Sequence, residues 1–423
     1  MCRLSFDVLD LKNGSYIVRC MVHGFCKKLN FRITVNGIHL GNSPFNIEGH
    51  FNDDRCSCPV DLEKFYENLY CPNSYDQLDQ DLSLWPKNSV PFASALDSAL
   101  KRWAVRPESH SFCHYMIFDN KLYRKCHGRY VGFKMFTDSI FQSLLRKVKL
   151  PNTEFLFNLG DWPLEAAGNV PMMSWCGSGS SKDIVLPSYE ITEATLEMMA
   201  RRNIDIISIL GAESPKWDEK IDRAIWRGRD SSQERLILVQ MARNRPDLIE
   251  ANITRFFFFR DLIDVYGPEV PHMPFQDFFK YKFVVNMDGT VAAYRFAFLL
   301  AGTSLVFKQT SNYYEHFYKL LKPWVHYVPV EFDLSDLIER IEWAKNNQEE
   351  AQKIVSNARK FVAENLLPSN ILCYYAKTIQ KYTELLETIP EEVPSDMEEV
   401  KMPNFHQCSC KPQDKAPFPK EEL

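Results

Sequence analysis

The sequence lacks any stretch of about 18 uninterrupted apolar residues, so no segment is predicted to cross a membrane as a helix. It also lacks a basic stripe. The 50 lysines and arginines stand against 55 acidic residues, and this balance argues against a general nucleic-acid binder. The opening residues, MCRLSFDVLDLKNGSY, have neither the basic start nor the apolar centre of a secretory signal peptide. We therefore expect that a leader has either been removed or been lost through a later start.

The chain has 423 residues, and 45% of them are hydrophobic. This length is enough for two or three domains with separate cores. Its 12 cysteines are unevenly placed. Cys56 and Cys58 are separated by a single residue, whereas paired zinc ligands favour about two to four. Disulfides or buried thiols are therefore expected rather than a metal site.

The chain ends in a variant of the Lys-Asp-Glu-Leu signal for retention in the endoplasmic reticulum, unless this is a chance acidic tail. The residues of this signal are Lys420, Glu421, Glu422 and Leu423. The lumen of that compartment is oxidising, which favours disulfides. We therefore expect a lumenal protein that the KDEL receptor retains.

Residues 1–48 alternate like strands, and Asn36-Gly37 is a strong hairpin signal. The segments GSYIV and NGIHLGNSPFNI resemble the late strands of a filamin-type immunoglobulin-like repeat, so a partial β-sandwich without its early strands is expected. Residues 49–91 are polar and cysteine-bearing, and are expected to form a connector. Residues 389–423 are acidic and proline-bearing, and are expected to be flexible.

Between residues 92 and 388, strand-like runs such as EFLFNLGDW, IDIISILG and KFVVNMDG alternate with helical patterns. This order is typical of parallel sheets covered by helices on both faces, and the length allows two such sheets. We expect two halves at about 92–215 and 216–365, followed by a closing helix at 368–388. The predicted fold class is therefore α/β.

Three predicted strand ends carry residues suited to chemistry. Their position matters because ligands of open α/β sheets bind outside the carboxyl ends of the strands. The first strand end is LFNLGDWPL, where Asp161 and Trp162 follow an apolar run directly. Asp161 is either a helix cap or turn former, or a general base, and the local pattern leaves both open.

The second strand end is IWRGRDSSQERLILVQ, residues 225–240. Ser231 and Glu234 have capping-box spacing at the start of a periodic helix. A helix start with arginines nearby is an anion site, and the arginines here are Arg227, Arg229 and Arg235. A solvated basic face is the alternative interpretation.

The third strand end is FVVNMDGTVAAYRF, where small residues follow Asp288-Gly289 and Arg295 is predicted to lie in the first helical turns. A nucleotide diphosphate fits such a helix start, with Arg295 as a bidentate donor; a structural ion pair is the alternative for Arg295. Two anion sites and one carboxylate indicate a phosphate-bearing donor with a base nearby. Asp79-Gln80-Asp81 lies in the polar connector and is not expected to hold a metal ion.

On these motifs, residues 92–385 resemble the protein O-glucosyltransferases and the related capsule-type fungal transferases. The matching motifs are, in order, NLGDWP, DIVLPSY, WRGRDSSQER, VAAYRF, GTSLVFK and LKPWVHYVPV. The filamin-like start and the terminal signal narrow the resemblance to the KDEL-motif-containing members of that family.

The resemblance implies a GT-B architecture, in which two Rossmann-like halves face a cleft. It implies inverting transfer of glucose from UDP-glucose, with UDP-xylose as an alternative donor. The implied acceptor is a serine of an epidermal-growth-factor-like (EGF-like) repeat in Notch- or fibrillin-type proteins. Neither a metal ion nor another cofactor is implied. The alternative function is that of a non-catalytic lumenal binding protein built on a transferase fold.

Site residues follow from the motifs together with the resemblance, which implies Asp161 as the catalytic base. The predicted donor-binding residues are Arg227, Gly228, Arg229, Ser231, Arg235, Thr290, Val291, Ala292, Ala293, Tyr294 and Arg295. The predicted acceptor-binding residues are Trp162, Asp183, Leu186, Pro187, Ser188 and Tyr189. The resemblance also implies that Cys373 pairs with Cys58 or Cys56. Asn13 and Asn252 stand in Asn-x-Ser/Thr contexts and are candidate glycosylation sites.

Overall fold

The structure is a computed structural model that describes residues 3–10, 14, 16–23, 25–52, 58–196, 205–212 and 214–401. The chain divides into two compact units. The first comprises Met1–Phe65, Gln142–Lys149 and Lys401–Leu423, and the second comprises Tyr66–Phe141 and Leu150–Val400. No helix in the described ranges is long and apolar enough to cross a membrane.

Strands and helices alternate through most of the second unit. The strands are β1 Arg3–Asp10, β2 Tyr16–His23, β3 Phe25–Phe31, β4 Thr34–Val35, β5 Ile38–His39, β6 Phe45–Asn52, β7 Phe112–Phe118, β8 Lys121–His127, β9 Thr153–Asn158, β10 Met172–Ser174, β11 Gly177–Ser178, β12 Ile184–Val185, β13 Ile221–Arg229, β14 Ile249–Arg255, β15 Tyr281–Asn286, β16 Leu305–Gln309, β17 Tyr313–Tyr314, β18 Val328–Val330 and β19 Glu398–Glu399. The helices are α1 Leu62–Leu69, α2 Asp76–Leu82, α3 Phe92–Ala99, α4 Lys134–Lys147, α5 Tyr189–Leu196, α6 Ile206–Gly211, α7 Gln233–Asn244, α8 Ile263–Tyr266, α9 Phe275–Phe278, α10 Phe296–Ala301, α11 Leu337–Asn346, α12 Gln348–Asn365 and α13 Pro368–Thr383.

The first unit contains three antiparallel strand pairs, β1 with β2, β3 with β6, and β4 with β5. The predicted Asn36-Gly37 hairpin is confirmed, since these residues join β4 to β5 with φ angles of 51° and 81°. Both values lie in the left-handed region that a two-residue hairpin turn requires. The filamin-type repeat itself stays a prediction, because strand pairing does not identify it.

The first sheet of the second unit has the strand order β12-β10-β9-β7-β8-β19. In this sheet β9, β10 and β12 run parallel to one another, whereas β7, β8 and β19 pair in antiparallel fashion. The prediction of a parallel sheet is therefore wrong for these three strands. The run HYMIFDNKLYRK is an antiparallel hairpin of β7 and β8, closed by Asp119 and Asn120 with positive φ. Asp and Asn tolerate this conformation, which makes them turn formers. Strand β19 lies in the segment 389–423 that the sequence predicts to be flexible, and it pairs with β8.

The second sheet, with the order β14-β13-β15-β16-β18, is parallel throughout, as predicted. One face of this sheet carries Trp226, Phe283 and Phe307, which are buried in one apolar cluster with side chains of α7, α11 and α12. The closing pair of helices, α12 and α13, also agrees with the sequence pattern.

Two predicted segments differ from the structure. IDIISILG is the helix α6 rather than a strand, because the Asp205 carboxylate accepts the Ser208 N–H at 2.7 Å and caps the helix. The expected connector contains α1 and α2. In α2, the buried carboxylate of Asp81 accepts the Val185 N–H at 2.9 Å, and Asp79 forms an ion pair with Lys381. Both aspartates therefore stabilise the fold.

The predicted disulfide partner of Cys373 is wrong. Cys373 is bonded to Cys71, which follows α1 in the segment expected to be a connector, and Cys58 is in another disulfide. A second disulfide, Cys113–Cys126, joins paired residues of β7 and β8. Of the candidate glycosylation sites, Asn252 lies in the edge strand β14. Cys56, Asn13 and residues 420–423 lie outside the described residues.

Candidate active site

The second sheet has a topological switch at β13. The chain passes from β13 to β14 on one side and then returns to β15 on the other side of β13. Open α/β sheets bind their ligands in the crevice outside the carboxyl ends of the two strands at such a switch. The structure thus brings the second and third predicted strand ends together, since β13 ends at Arg229 and β15 ends at Asn286.

Arg235 connects these two strand ends. Its buried guanidinium donates hydrogen bonds to the backbone oxygens of Asp288 (2.8 Å), Met287 (3.0 Å) and Arg229 (3.0 Å). A fourth bond goes to Ser231 Oγ at 2.6 Å. An arginine has five N–H groups, so four of those of Arg235 hold the crevice in shape and one lies outside these four bonds. Burial lowers the pKa of Arg235 to about 10. With this pKa the guanidinium is still charged at neutral pH.

Ser231 is not the helix cap that the sequence spacing predicts. Helix α7 begins at Gln233, with Ser232 as its N-cap residue and no capping hydrogen bond from a side chain. The prediction is wrong because the Ser231 hydroxyl accepts a hydrogen bond from Arg235 instead. Ser231 therefore belongs to the wall of the crevice.

Residues 288–295 form a loop, whereas the sequence predicts a helix start there. Helix α10 begins only at Phe296. The buried carboxylate of Asp288 organises the loop, because one oxygen accepts the Ala293 N–H at 3.3 Å and the other accepts the Ser311 hydroxyl. Burial raises the pKa of Asp288. The predicted anion site in this region therefore falls on a loop fixed by a carboxylate, not on the first turn of a helix.

Gly289 is required by the close approach of this loop to the crevice wall. A Cβ at this position would lie 2.8 Å from Ser231 Oγ and 3.1 Å from Arg235 Nη2. The predicted donor-binding residues of the loop differ in exposure. Thr290 is half-buried, whereas Val291, Ala292, Ala293 and Tyr294 are buried. The side chains of Val291 to Tyr294 are therefore largely withdrawn from solvent.

Arg295 and Arg235 lie on the same aromatic ring. The guanidinium carbons of Arg295 and Arg235 are 5.7 Å and 5.4 Å from the centre of the Trp226 ring. Arg295 Nη1 also donates to the backbone oxygen of Arg227 at 2.5 Å. Arg227 itself forms an ion pair with Glu250, which places its charge in the sheet rather than in the crevice.

The remaining donor-binding predictions concern Gly228 and Arg229. A Cβ at Gly228 would lie 2.5 Å from the Trp226 ring, so the glycine makes room for that ring. Arg229 is exposed at the end of β13. The structure therefore brings Arg229, Arg235 and Arg295 to one end of the sheet, with Arg295 and Arg235 stacked on one ring.

Asp161 lies in the turn that follows β9, as predicted. The Asn158 side chain fixes this turn, because it donates to the Trp162 backbone oxygen at 2.6 Å and accepts the Gly160 N–H at 2.9 Å. Within the described residues, Asp161 Oδ1 is buried and has no hydrogen-bond partner. Burial, and to a smaller extent the charge of Glu190, raise the pKa of Asp161. Such a carboxylate is a stronger proton acceptor than an ordinary aspartate.

The turn at Asp161 contacts the loop that precedes Arg295. The Tyr294 hydroxyl donates to the Asp161 backbone oxygen at 3.5 Å, and Tyr294 immediately precedes Arg295. The buried thiol of Cys176 donates to the same oxygen at 3.3 Å. The turn after β9 therefore contacts the loop after β15 through the backbone oxygen of Asp161.

Several predicted acceptor-binding residues are buried in the fold. The Asp183 carboxylate accepts the backbone N–H groups of Leu164 and Glu165 at 3.0 and 2.8 Å, and burial raises its pKa to about 6. Leu186 and Ser188 have no exposed surface. In this conformation these side chains stabilise the turn after β9 and the segment after β12, and do not reach solvent.

The other acceptor-binding predictions lie nearer the surface. Trp162 is 53% exposed, and its ring centre is 6.1 Å from that of Tyr313. Tyr189 is half-buried, whereas Pro187 is buried and its backbone oxygen accepts the Tyr375 hydroxyl at 3.2 Å. Trp162 is therefore the member of the predicted set that is best placed to meet an acceptor.

Sequence reasoning missed three polar residues around the site. Asn158 is the last residue of an apolar strand and Lys308 is the next-to-last residue of another, so a polar residue near a strand end is a signal that could have found both. Glu315 has no such signal. It is fully buried, accepts the Ser188 hydroxyl at 2.7 Å, and has its pKa raised to about 8 by burial. No group of three metal-binding side chains occurs in the part of the chain that the structure describes.

Comparison with known proteins identifies the class of this protein. The model of glycosyl transferase family 90 matches residues 66–418. Protein O-glucosyltransferase 2 of Danio rerio is 45% identical over 415 residues, which cover 96% of this chain and 82% of that protein. Protein O-glucosyltransferase 3 of Homo sapiens is 42% identical over 422 residues, covering 98% of this chain and 82% of that protein.

The protein is a glycosyltransferase enzyme, and its relatives support protein O-glucosylation as the activity. The chain belongs to glycosyl transferase family 90, which confirms the resemblance inferred from the motifs. Among solved structures, Anabaena HepE in complex with UDP and glucose matches with a TM-score of 0.31 and 14% identity, over 42% of this chain and 54% of that chain. A similarity this low carries no argument about fold or ligand.

Proposed function

We propose that this enzyme transfers glucose from UDP-glucose to a serine hydroxyl of EGF-like repeats, such as those of Notch- or fibrillin-type proteins, with inversion at the sugar. One observation carries the proposal. The buried Oδ1 of Asp161 has no hydrogen-bond partner among the described residues, and the backbone oxygen of Asp161 accepts the hydroxyl of Tyr294, which directly precedes Arg295. A strong proton acceptor next to a cationic crevice is what transfer from a diphosphate to a hydroxyl requires.

Asp161 acts on the acceptor. Its carboxylate accepts the serine proton while the serine oxygen attacks C1 of the glucose. The bond between C1 and the diphosphate oxygen breaks as the new bond forms on the opposite face, so the configuration at C1 inverts without a covalent intermediate. The proton ends on Asp161, and UDP leaves with the bonding electron pair. Positioned base catalysis of this kind contributes about 10²–10⁴-fold.

The crevice at β13 and β15 acts on the donor. Arg295 and the remaining N–H of Arg235 neutralise the charge that develops on the leaving diphosphate, together with backbone groups of residues 289–295. We propose that no divalent ion takes part. In the GT-B arrangement that we propose, the second, parallel sheet binds the donor. The first sheet, which contains β9, supplies the base.

The compartment we propose is the lumen of the endoplasmic reticulum. The disulfides Cys71–Cys373 and Cys113–Cys126 support it, because such bonds persist in oxidising compartments. Retention through residues 420–423 and the KDEL receptor is part of the same proposal.

A transfer assay tests the proposed function. The purified enzyme is incubated with radiolabelled UDP-glucose or UDP-xylose and a panel of folded EGF-like repeats, and the labelled repeat and its anomeric configuration are determined. We expect transfer of glucose to serine with inverted configuration. Binding of UDP without transfer to any repeat would support the non-catalytic alternative, and absence of UDP binding would overturn the proposal altogether.

A further inference from the structure

Two exposed phenylalanines follow β14, the edge strand beside β13. β14 ends at Arg255 and the next residue, Phe256, is buried, but Phe257 and Phe258 are 56% and 53% exposed. Their ring centres are 5.1 Å apart, so the two rings form one aromatic surface. Neighbouring large apolar side chains that are exposed together mark sites of interaction.

The backbone enforces this exposure. The carboxylate of Asp230 has no exposed surface and accepts the N–H groups of Phe257 (2.7 Å), Phe258 (2.9 Å) and Phe259 (2.6 Å). These charge-assisted hydrogen bonds hold the backbone of the segment in the conformation that presents both rings to solvent. Side chains held in place before binding lose little conformational entropy when a partner covers them.

The aromatic pair lies at the rim of the proposed donor crevice and has three arginines near it. Asp230 directly follows Arg229 in the turn between β13 and α7. Arg229 and Arg255 are register partners at the ends of adjacent strands, and the Arg260 guanidinium lies 5.2 Å from the centre of the Phe257 ring. All three arginines are exposed. The surface therefore combines aromatic rings with a cationic border.

We propose that Phe257 and Phe258, bordered by Arg229, Arg255 and Arg260, form a docking surface for the folded protein acceptor. An apolar side chain of the acceptor packs on the two rings, and acidic residues around it face the arginines. This inference rests on the proposed function, which requires a protein acceptor. The surface is named the Phe257–Phe258 surface below.

A protein fits this surface better than the donor nucleotide does. Small-molecule sites are concave and bury most of their ligand, whereas both rings here are more than half exposed. Aromatic side chains and arginines are also the residues that dominate binding energy at protein interfaces. The surface follows β14 of the second sheet, whereas Asp161 follows β9 of the first sheet, so we assign it to binding of the acceptor and not to proton transfer.

A kinetic comparison tests the inference. The double variant Phe257→Ala/Phe258→Ala is compared with Phe332→Ala, which removes a phenylalanine of similar exposure, 54%, that follows β18 at the opposite edge of the same sheet. We expect the double variant to raise KM for the folded acceptor by about 10-fold or more, the effect of losing interface hot spots. UDP affinity, hydrolysis of UDP-glucose without acceptor, and the melting temperature should match those of Phe332→Ala.

A second variant tests the cationic border. In Arg255→Gln/Arg260→Gln, KM for the acceptor should depend less on ionic strength than in the wild type, since exposed charges are screened by salt. An unchanged acceptor KM in the phenylalanine variant would overturn the docking surface. Loss of UDP affinity instead would assign the rings to the nucleotide and overturn it as well. Absence of transfer by the wild type is the separate result that overturns the proposed function.

Discussion

In the proposed mechanism, the carboxyl group of Asp161 has to be ionised before it can act and still be basic enough to take a proton from a serine. Burial raises its pKa, and the charge of Glu190 adds to the effect. Because the acceptor hydroxyl is a very weak acid, each increase in the basicity of Asp161 makes proton transfer more favourable, as long as the group stays ionised at the working pH.

The first prediction concerns the pH dependence of transfer. Activity requires ionised Asp161, so kcat/KM falls as the pH drops through its raised pKa, at a higher pH than for an ordinary aspartate. The variant Glu190→Gln removes a negative charge and should move this acid limb to lower pH. The measurement is kcat/KM for a folded acceptor against pH, with Glu349→Gln on the exposed side of α12 as control. An acid limb that does not move would contradict the role of Glu190.

The second prediction concerns Glu315. Burial raises its pKa to about 8 from an ordinary value of 4.5, so the folded protein holds a proton that the unfolded chain releases. The contribution of this group to stability is therefore complete below about pH 4.5 and decreases by up to about 1.4 kcal/mol per pH unit as the pH rises towards 8. Glu315→Gln keeps a neutral side chain and should be less sensitive to pH.

The free energy of unfolding in urea at pH 5 and pH 8, measured for Glu315→Gln and for the wild type, tests this account. Between pH 5 and pH 8 the wild type should lose more stability than the variant. Parallel losses of stability in both proteins would show that Glu315 is ionised in the fold.

At the scale of elements, the crevice that we propose for the donor consists of two strand ends and a loop held by buried polar groups. Asp288 fixes the loop from inside, and Arg235 fixes the ends of β13 and β15 against each other. Since neither group is free to move, the crevice is formed before a ligand arrives. Such preorganisation is the main source of electrostatic catalysis in water-excluded sites.

The third prediction tests this preorganisation through Gly289→Ala. The added Cβ would meet Ser231 Oγ at 2.8 Å and Arg235 Nη2 at 3.1 Å, so the loop has to move away from the crevice wall. We expect UDP affinity to fall about 10-fold or more and the free energy of unfolding to fall by about 1–3 kcal/mol. Calorimetric titration with UDP and thermal melting measure both effects.

The control for Gly289→Ala is Gly132→Ala, since a Cβ at Gly132 would have no neighbouring atom within 4 Å. The control should bind UDP like the wild type. If Gly289→Ala also keeps full affinity, the loop is either more adaptable than its hydrogen bonds indicate or remote from the donor.

The elements around the site also show which features a sequence can predict. The strand end at Asp161 was predictable because an apolar run followed by a polar turn is a local pattern. The role of Ser231 was not predictable from the local pattern, which assigns its hydroxyl to the helix start. In the structure this hydroxyl accepts a hydrogen bond from Arg235, which also bonds the backbone of Asp288 after β15. The run IDIISILG was ambiguous, since a short apolar segment fits a strand or a helix and the Asp205 cap decides between them.

At the scale of the whole molecule, distant contacts determine what local patterns cannot. Cys71 and Cys373 are separated by 302 positions, and no spacing rule connects them. The two sheets of the second unit are likewise joined in space by a short antiparallel pair, β11 with β17, which the sequence pattern does not reveal. The order of the strands along the chain was predictable, but their partners across the molecule were not.

The fourth prediction concerns the long-range disulfide. Cys373→Ser removes a cross-link between the start of the second unit and helix α13, and should lower the free energy of unfolding by about 2–5 kcal/mol. Urea unfolding without reductant measures this loss. Cys20→Ser, which replaces an exposed free cysteine, is the control and should unfold like the wild type. Equal stability of the two variants would show that the cross-link does not stabilise the fold.

The most direct test of the account is the rate of glucose transfer by Asp161→Asn under saturating UDP-glucose and folded acceptor. The substitution keeps the shape of the side chain and removes its ability to take a proton. We expect kcat to fall by about 10²–10⁴-fold while UDP affinity and melting temperature stay at wild-type values. Transfer at a rate near that of the wild type would contradict the central claim that Asp161 is the general base of this enzyme.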